Sequence, residues 1–317
     1  MGKKMAGVCL LSLWLSMFTS ADLYAQSEEA VGVITELKFN TGDIQVRQPS
    51  AQSFERASAL QALRAGSRVQ ASKDATAVIL FTDSMKTVTV DEKNSPLAIN
   101  APKPGESQPS RRIRDIVNLL VGKRKPPVYV SMGGRGRGQP ATLLSPRNTK
   151  VMNDAPTFYW IGMDRQPGTV KVYGPEGLIW SAENLSVSQI KYPASAPRLR
   201  AGGEYSWVIE KAGFTPQKAA FKLLTAKEVE SVQEQLAALN ASAGISKTTV
   251  TIIKANLLSS NDLMHEAREI LAEAVNQNPG EPALRFLLGE VYEKTGLRNL
   301  AEEEYREAEY LEKKGNQ

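Results

Sequence analysis

Near its C-terminus the chain repeats itself with a period of 34 residues. Ala267, Leu271 and Ala274 recur as Ala301, Tyr305 and Ala308. Pro279 closes the first copy, and Leu288, Gly289 and Tyr292 open the second. A period of this length marks helical hairpins that cannot bury their apolar faces alone and therefore stack, an architecture that binds rather than reacts. Small Ala267 and Ala301 let paired helices approach, and Leu271 and Tyr305 fill the space beside them. Ala, Leu, Glu and Lys dominate residues 226–317, with apolar residues at helical spacing. A helix near 226–240 is expected to cap the stack. Ser260, Asn261 and Asp262 are read as the cap of one helix, and Asn278, Pro279 and Gly280 as its end.

The stretch LLGEVYEKTGLRNLAEEEYREAEYL resembles the tetratricopeptide repeat. The first copy departs from that pattern, with Lys254, Ala255 and Leu258 where Leu, Gly and Tyr are typical. The resemblance implies a concave face for a peptide or partner helix. Asn256, Arg285 and Tyr292 are its candidate lining residues, unless they only pack adjacent helices. Solenoids usually need three or more repeats, so this short one is expected to lean on the sandwich or to pair with a second copy.

The N-terminus reads as an export signal. Lys3 and Lys4 precede an apolar run from Met5 to Phe18, and small residues follow at Thr19, Ser20, Ala21 and Ala25. Cleavage is expected after Ala21 or Ala25, which places the mature chain in the periplasm or outside the cell. The run is short against the roughly 20 residues of a bilayer span, and no later stretch is apolar enough to span. The only cysteine, Cys9, lies within this signal. The mature chain then has no thiol for a disulfide, a zinc ligand or a nucleophile.

Residues 30–100 read as short strands, at VGVITELKF, Asp43 to Val46, AVILF (77–81) and TVTV (87–90). The frame VGVITELKFNTGDIQVRQP, then Phe54, then LRAGSRVQASKDATAVILFTDSMKTVTVDEKNSPLAI, resembles the FecR-type domain of bacterial envelope proteins. Phe54 stands where that family has Trp, and Ser84 where it has Gly. The resemblance implies a β-rich envelope domain and carries no catalytic residue. Residues 141–225 read as about six further strands. Pro156, Trp160, Tyr192, Leu199, Gly202, Tyr205 and Trp207 resemble a fibronectin type III-like sandwich. Trp160 and Trp207 are expected in its core, and Trp180, after a turn, on its surface.

Between these regions, residues 101–110 are rich in Pro and Ser, and Ile113, Ile116, Val117 and Leu120 mark a short amphipathic helix. Arg111, Arg112, Arg114, Lys123, Arg124, Lys125, Arg135 and Arg137 make this segment a candidate for binding anionic headgroups or wall polymers. The alternative is a solvated linker whose helix docks on the first β domain. Charge is split along the chain: residues 226–317 carry 10 basic and 16 acidic residues, whereas the part before them is basic. This split suggests an anionic partner for the front or contact between the halves, although solvated surface is the more common explanation.

Catalytic chemistry finds little support. His265 is the only histidine and is read as a surface or packing residue. Asp164, Glu176, Glu183 and Glu204 lie in or near sandwich loops, with no spacing that singles out an acid pair. No phosphate-binding GxxxxGK[ST] motif occurs, and the export signal disfavours nucleic acid. No cofactor, metal site or catalytic residue is assigned.

The expected architecture is therefore multidomain. A signal peptide (1–25) precedes an all-β FecR-like domain (26–100) and a basic linker (101–140). A fibronectin III-like β-sandwich (141–225) and an all-α tetratricopeptide-type domain (226–317) follow. The expected function is a non-enzymatic envelope adaptor that binds a protein partner through its helices. The alternative is a module for polysaccharide, peptidoglycan or lipopolysaccharide.

Overall fold

The computed structural model describes residues 30–101, 120, 141–162, 167–240 and 244–314. A β-rich region comes first and five helices follow. The segment expected to be an export signal and all eight candidate anion-binding residues, Arg111 to Arg137, lie outside the described residues. Leu120 is described, and it is fully buried among the apolar side chains of the first sheets and the helices.

Eight strands form before residue 101: β1 (Ala30–Phe39), β2 (Ile44–Arg47), β3 (Glu55–Arg56), β4 (Ala62–Arg64), β5 (Arg68–Ala71), β6 (Ala75–Phe81), β7 (Thr87–Val90) and β8 (Leu97–Ala98). They make two four-stranded sheets, ordered β4-β1-β6-β7 and β3-β2-β5-β8. β1 buries its first eight residues, polar Thr35 and Glu36 included. An inner strand covered on both faces reads as a nearly continuous run rather than an alternation. A bulge between Ile34 and Glu36 shifts its register against β6. The short partner β4 pairs only with residues 30–33 of β1, so the rest of that edge needs other hydrogen-bond partners.

Eight more strands, rather than six, form between residues 141 and 225: β9 (Thr142–Ser145), β10 (Thr149–Val151), β11 (Thr157–Ile161), β12 (Gly168–Gly174), β13 (Gly177–Leu185), β14 (Gln189–Lys191), β15 (Glu204–Lys211) and β16 (Gln217–Leu223). A five-stranded sheet, β10-β16-β15-β12-β13, faces a three-stranded one, β14-β11-β9. Both contribute to one aromatic core in which Trp160 and Trp207 are fully buried. The indole of Trp207 donates to the Pro146 carbonyl at 2.7 Å. The hydroxyl of Tyr205 accepts from the Arg200 amide at 2.6 Å, tying the start of β15 to the preceding corner. Gly203 makes room for it, because a Cβ there would lie 2.6 Å from that hydroxyl. Trp180 is half-buried rather than exposed. It lies 5.4 Å from the Tyr192 ring and 6.3 Å from that of Phe158.

The helices are α1 (Ala226–Asn240), α2 (Lys247–Ser260), α3 (Met264–Gln277), α4 (Pro282–Lys294) and α5 (Arg298–Lys313). In α1, Val229, Val232, Leu236 and Leu239 form the inward stripe. The helices α2 with α3, and α4 with α5, pack as hairpins. Gly289 on α4 permits the second hairpin to close, since a Cβ there would lie 2.6 Å from the ring of Tyr305 on α5. The apolar side of these helices is continuous with the first sheets. Ile34, Leu37 and Ile79 share one core with Ile252, Ile253, Leu284 and Leu287. Burying each such side chain contributes about 1.5–3 kcal/mol, and the sheet and the helices share that gain.

Candidate functional site

The polar chemistry of the molecule concentrates where the helices meet the strands. Two junctions form, one on each β region.

The first covers the open edge of β1. Glu281, the N-cap of α4, accepts from the Ala283 amide and from the Leu37 amide, the latter at 3.2 and 3.3 Å to its two oxygens. Burial pushes the Glu281 carboxyl well above the usual carboxylate range, and nearby Glu36 pushes it the same way. Glu36 itself accepts from the hydroxyls of Ser246 and Thr249 at the start of α2. The Thr35 and Thr249 hydroxyls lie 2.9 Å apart. The Glu312 carboxylate, near the end of α5, accepts from the Ala59 amide at 2.8 Å. The bulge in β1 places Thr35, Glu36 and the Leu37 amide where the helices can reach them.

The second junction joins α3 to β9, β10 and β11. The sequence places the cap of this helix at residues 260–262, but Asn261 instead ends α2, and Leu263 precedes α3 with no side-chain cap. The cap comes from Thr149 on β10, whose hydroxyl accepts from the Met264 amide at 2.8 Å and from the His265 amide at 3.4 Å. A β-strand hydroxyl 115 residues upstream thus meets the orphan donors that a helix start leaves. Glu266 accepts from the Met152 amide at 2.6 Å. Burial pushes its carboxyl up to about 7. Arg147 and Asn148 both donate to the Thr295 carbonyl at the end of α4.

His265 is buried here. Its Nδ1 lies 2.8 Å from the Ser145 hydroxyl, and its Nε2 lies 3.6 Å from Glu269. Ser, His and an acid therefore stand in contact. A lone histidine without thiols is expected to exclude Ser-His-acid triads along with HExxH sites and Cys-His pairs, but the serine comes from 120 positions away. The chemistry of this contact is that of a lock. Burial, with Arg268 nearby, pushes the imidazole down to about 3, so it stays neutral and weakly basic, far from the near-neutral pKa that suits a general base. Ser145 is 3% exposed, leaving no approach for a substrate. Glu269 also accepts from the Tyr159 hydroxyl at 2.9 Å, and the Arg268 guanidinium lies 4.4 Å over the Tyr159 ring.

The candidate repeat-surface residues differ in exposure, with Arg285 only partly buried. Asn256 and Tyr292 are buried, and Arg285 pairs with Glu304 at 3.0 Å. A sequence pattern gives the face of a helix but not what lies against it. The junction residues Thr35, Glu36, Thr149 and Ser145 escape sequence reasoning because their partners lie more than 100 positions away. The one available signal is the run of polar residues inside the otherwise apolar β1.

Among the described residues, no group of three or more His, Cys, Asp or Glu side chains is placed to hold a metal ion. No helix among them is long and apolar enough to cross a membrane. No protein-family model matches the chain, and no curated protein matches it.

Proposed function

We propose that the protein is a non-enzymatic, exported scaffold of the bacterial cell envelope, located in the periplasm or secreted. In this reading a FecR-like domain and a fibronectin III-like sandwich are held in fixed relation by a short tetratricopeptide-type clamp. The observation that carries it is the double grip of the helices. Glu281 and Glu312 hold backbone amides of the first β region; Glu266 holds an amide of the second, whose Thr149 in turn caps α3. Protein-binding residues must then lie on the outward side of the helices, since the inward side is occupied by the molecule's own strands. The tie between Tyr205 and Arg200 supports the fibronectin-like assignment, because sandwiches of that kind pin the same corner with a tyrosine. The close fit of Gly289 against Tyr305 supports the repeat assignment.

Tyr310 on α5 is 51% exposed and marks the outward face. A photocrosslinker at position 310, in an envelope extract of the source cells, is expected to capture a discrete protein. The same group at exposed Leu178 on β13 serves as the comparison. Identical adducts from both positions, or none from 310, would remove the helices from the adaptor role. A second reading, a module for an anionic envelope polymer, draws support from an open cleft on the five-stranded sheet.

A further inference from the structure

The outer face of the sheet β10-β16-β15-β12-β13 carries a cleft of about 520 Å³. A row of side chains crosses its middle. Tyr173 on β12 pairs with Ser206 on β15, and Ser206 pairs with Ala220 on β16. Asn148, beside β10, donates its amide to the Ala220 carbonyl. At about 4.8 Å per strand the row runs roughly 14 Å from Tyr173 to Asn148. Its floor is small and open: Ala220 is exposed and Ser206 half-exposed, although both sit on inner strands.

Lys218 and Lys222 lie two residues either side of Ala220 on the same face, about 7 Å away along the strand. Both are exposed, and neither forms an ion pair among the described residues. Lys222 stands opposite Glu204 and lies near Glu228, whose carboxyl is held low by hydrogen bonds from Thr225 and, to a lesser extent, by Lys150 and Lys222. Lys218 stands opposite uncharged Val208. The neighbouring Lys171 is already held by Glu210 at 2.8 Å. Lys218 is thus the cation of this face with the least competition from the protein's own carboxylates.

We infer that this cleft binds an acidic polysaccharide strand laid across the sheet. A sugar ring stacks on Tyr173, a carboxylate reaches Lys218, and hydroxyl groups hydrogen-bond to Ser206, Asn148 and Glu204. An aromatic wall with a few convergent polar groups is the usual make-up of a ligand cleft. A peptide added as a strand would need a free sheet edge, whereas this trough crosses the strands. A single-stranded nucleic acid would want successive aromatic platforms for its bases, and Tyr173 is the one aromatic ring in this row. The inference gives a location to the polymer-binding reading and rests on it. The helical grip and the crosslink from position 310 are independent of it.

The test is titration of the full mature chain with tetragalacturonate, read by calorimetry and by amide shifts at Tyr173, Ser206 and Ala220. Saturable binding is expected at low salt, weakened by about five-fold or more in Tyr173→Ala and in Lys218→Gln, and weakened again by salt. The methyl-esterified tetramer should bind less tightly. Both substitutions sit on the exposed face, and an unchanged melting curve certifies each variant. The inference is overturned by absence of saturable binding, or by binding that neither variant weakens. It is equally overturned if pentaglutamate or a ten-residue oligothymidylate binds as tightly.

Discussion

Thr149 does for α3 what a residue next to that helix would ordinarily do. Its hydroxyl caps Met264 and His265 from a strand, so losing it weakens both the helix start and the junction. Thr149→Val should lower stability by about 1 kcal/mol, within the range of lost N-caps, as measured by denaturant unfolding. The next two residues titrate in opposition. His265 has a folded pKa pushed down from 6.5 to about 3. The unfolded chain therefore holds more protons in that interval, and the histidine's contribution to stability is lost as pH falls from 6.5 towards 3. Glu266 has a folded pKa pushed up from 4.5 to about 7. Here the folded chain holds more protons, and stability is lost as pH rises from 4.5 towards 7. Between about pH 4.5 and 6.5 the two slopes cancel. Relative to wild type, His265→Gln should make stability fall more steeply as pH rises through that window. Glu266→Gln should make it climb instead. Parallel stability–pH curves for all three proteins would refute the opposition.

At the scale of elements, TVTV reads as a strand and forms β7 over the same residues, and the helix expected at 226–240 is α1. Local spacing is enough there, because the side-chain pattern alone decides which face is buried. The short strands β3 and β8 are harder to read, since two residues carry no period. The cap of α3 is invisible for a different reason: a hydrogen bond across 115 positions leaves no local trace. The second hairpin depends on Gly289, and a methyl group there would press on Tyr305. Gly289→Ala should cost about 1–3 kcal/mol, as overpacking does, visible as an earlier thermal transition. Glu281→Leu should cost a similar ~1–3 kcal/mol, because it leaves the Leu37 amide buried without an acceptor.

At the scale of the molecule, carboxyl groups of the C-terminal part reach the region before it. Three acidic residues there, Glu266, Glu281 and Glu312, accept from the backbone amides of Met152, Leu37 and Ala59. The shared core of the first sheets and the helices has a further consequence. Removing residues 226–317 would expose Ile34, Leu37 and their neighbours, so a truncated chain is expected to aggregate rather than to display a free β module. The clamp is tested most directly by native-state hydrogen exchange at three amides outside the strand ladders' own pairing: Leu37, Ala59 and Met152. If the helices grip both β regions, all three exchange at least ~10³-fold more slowly than in an unstructured peptide. Exchange of these three at the rate of solvent-exposed amides, while core amides such as Ile79 stay protected, would contradict the clamp.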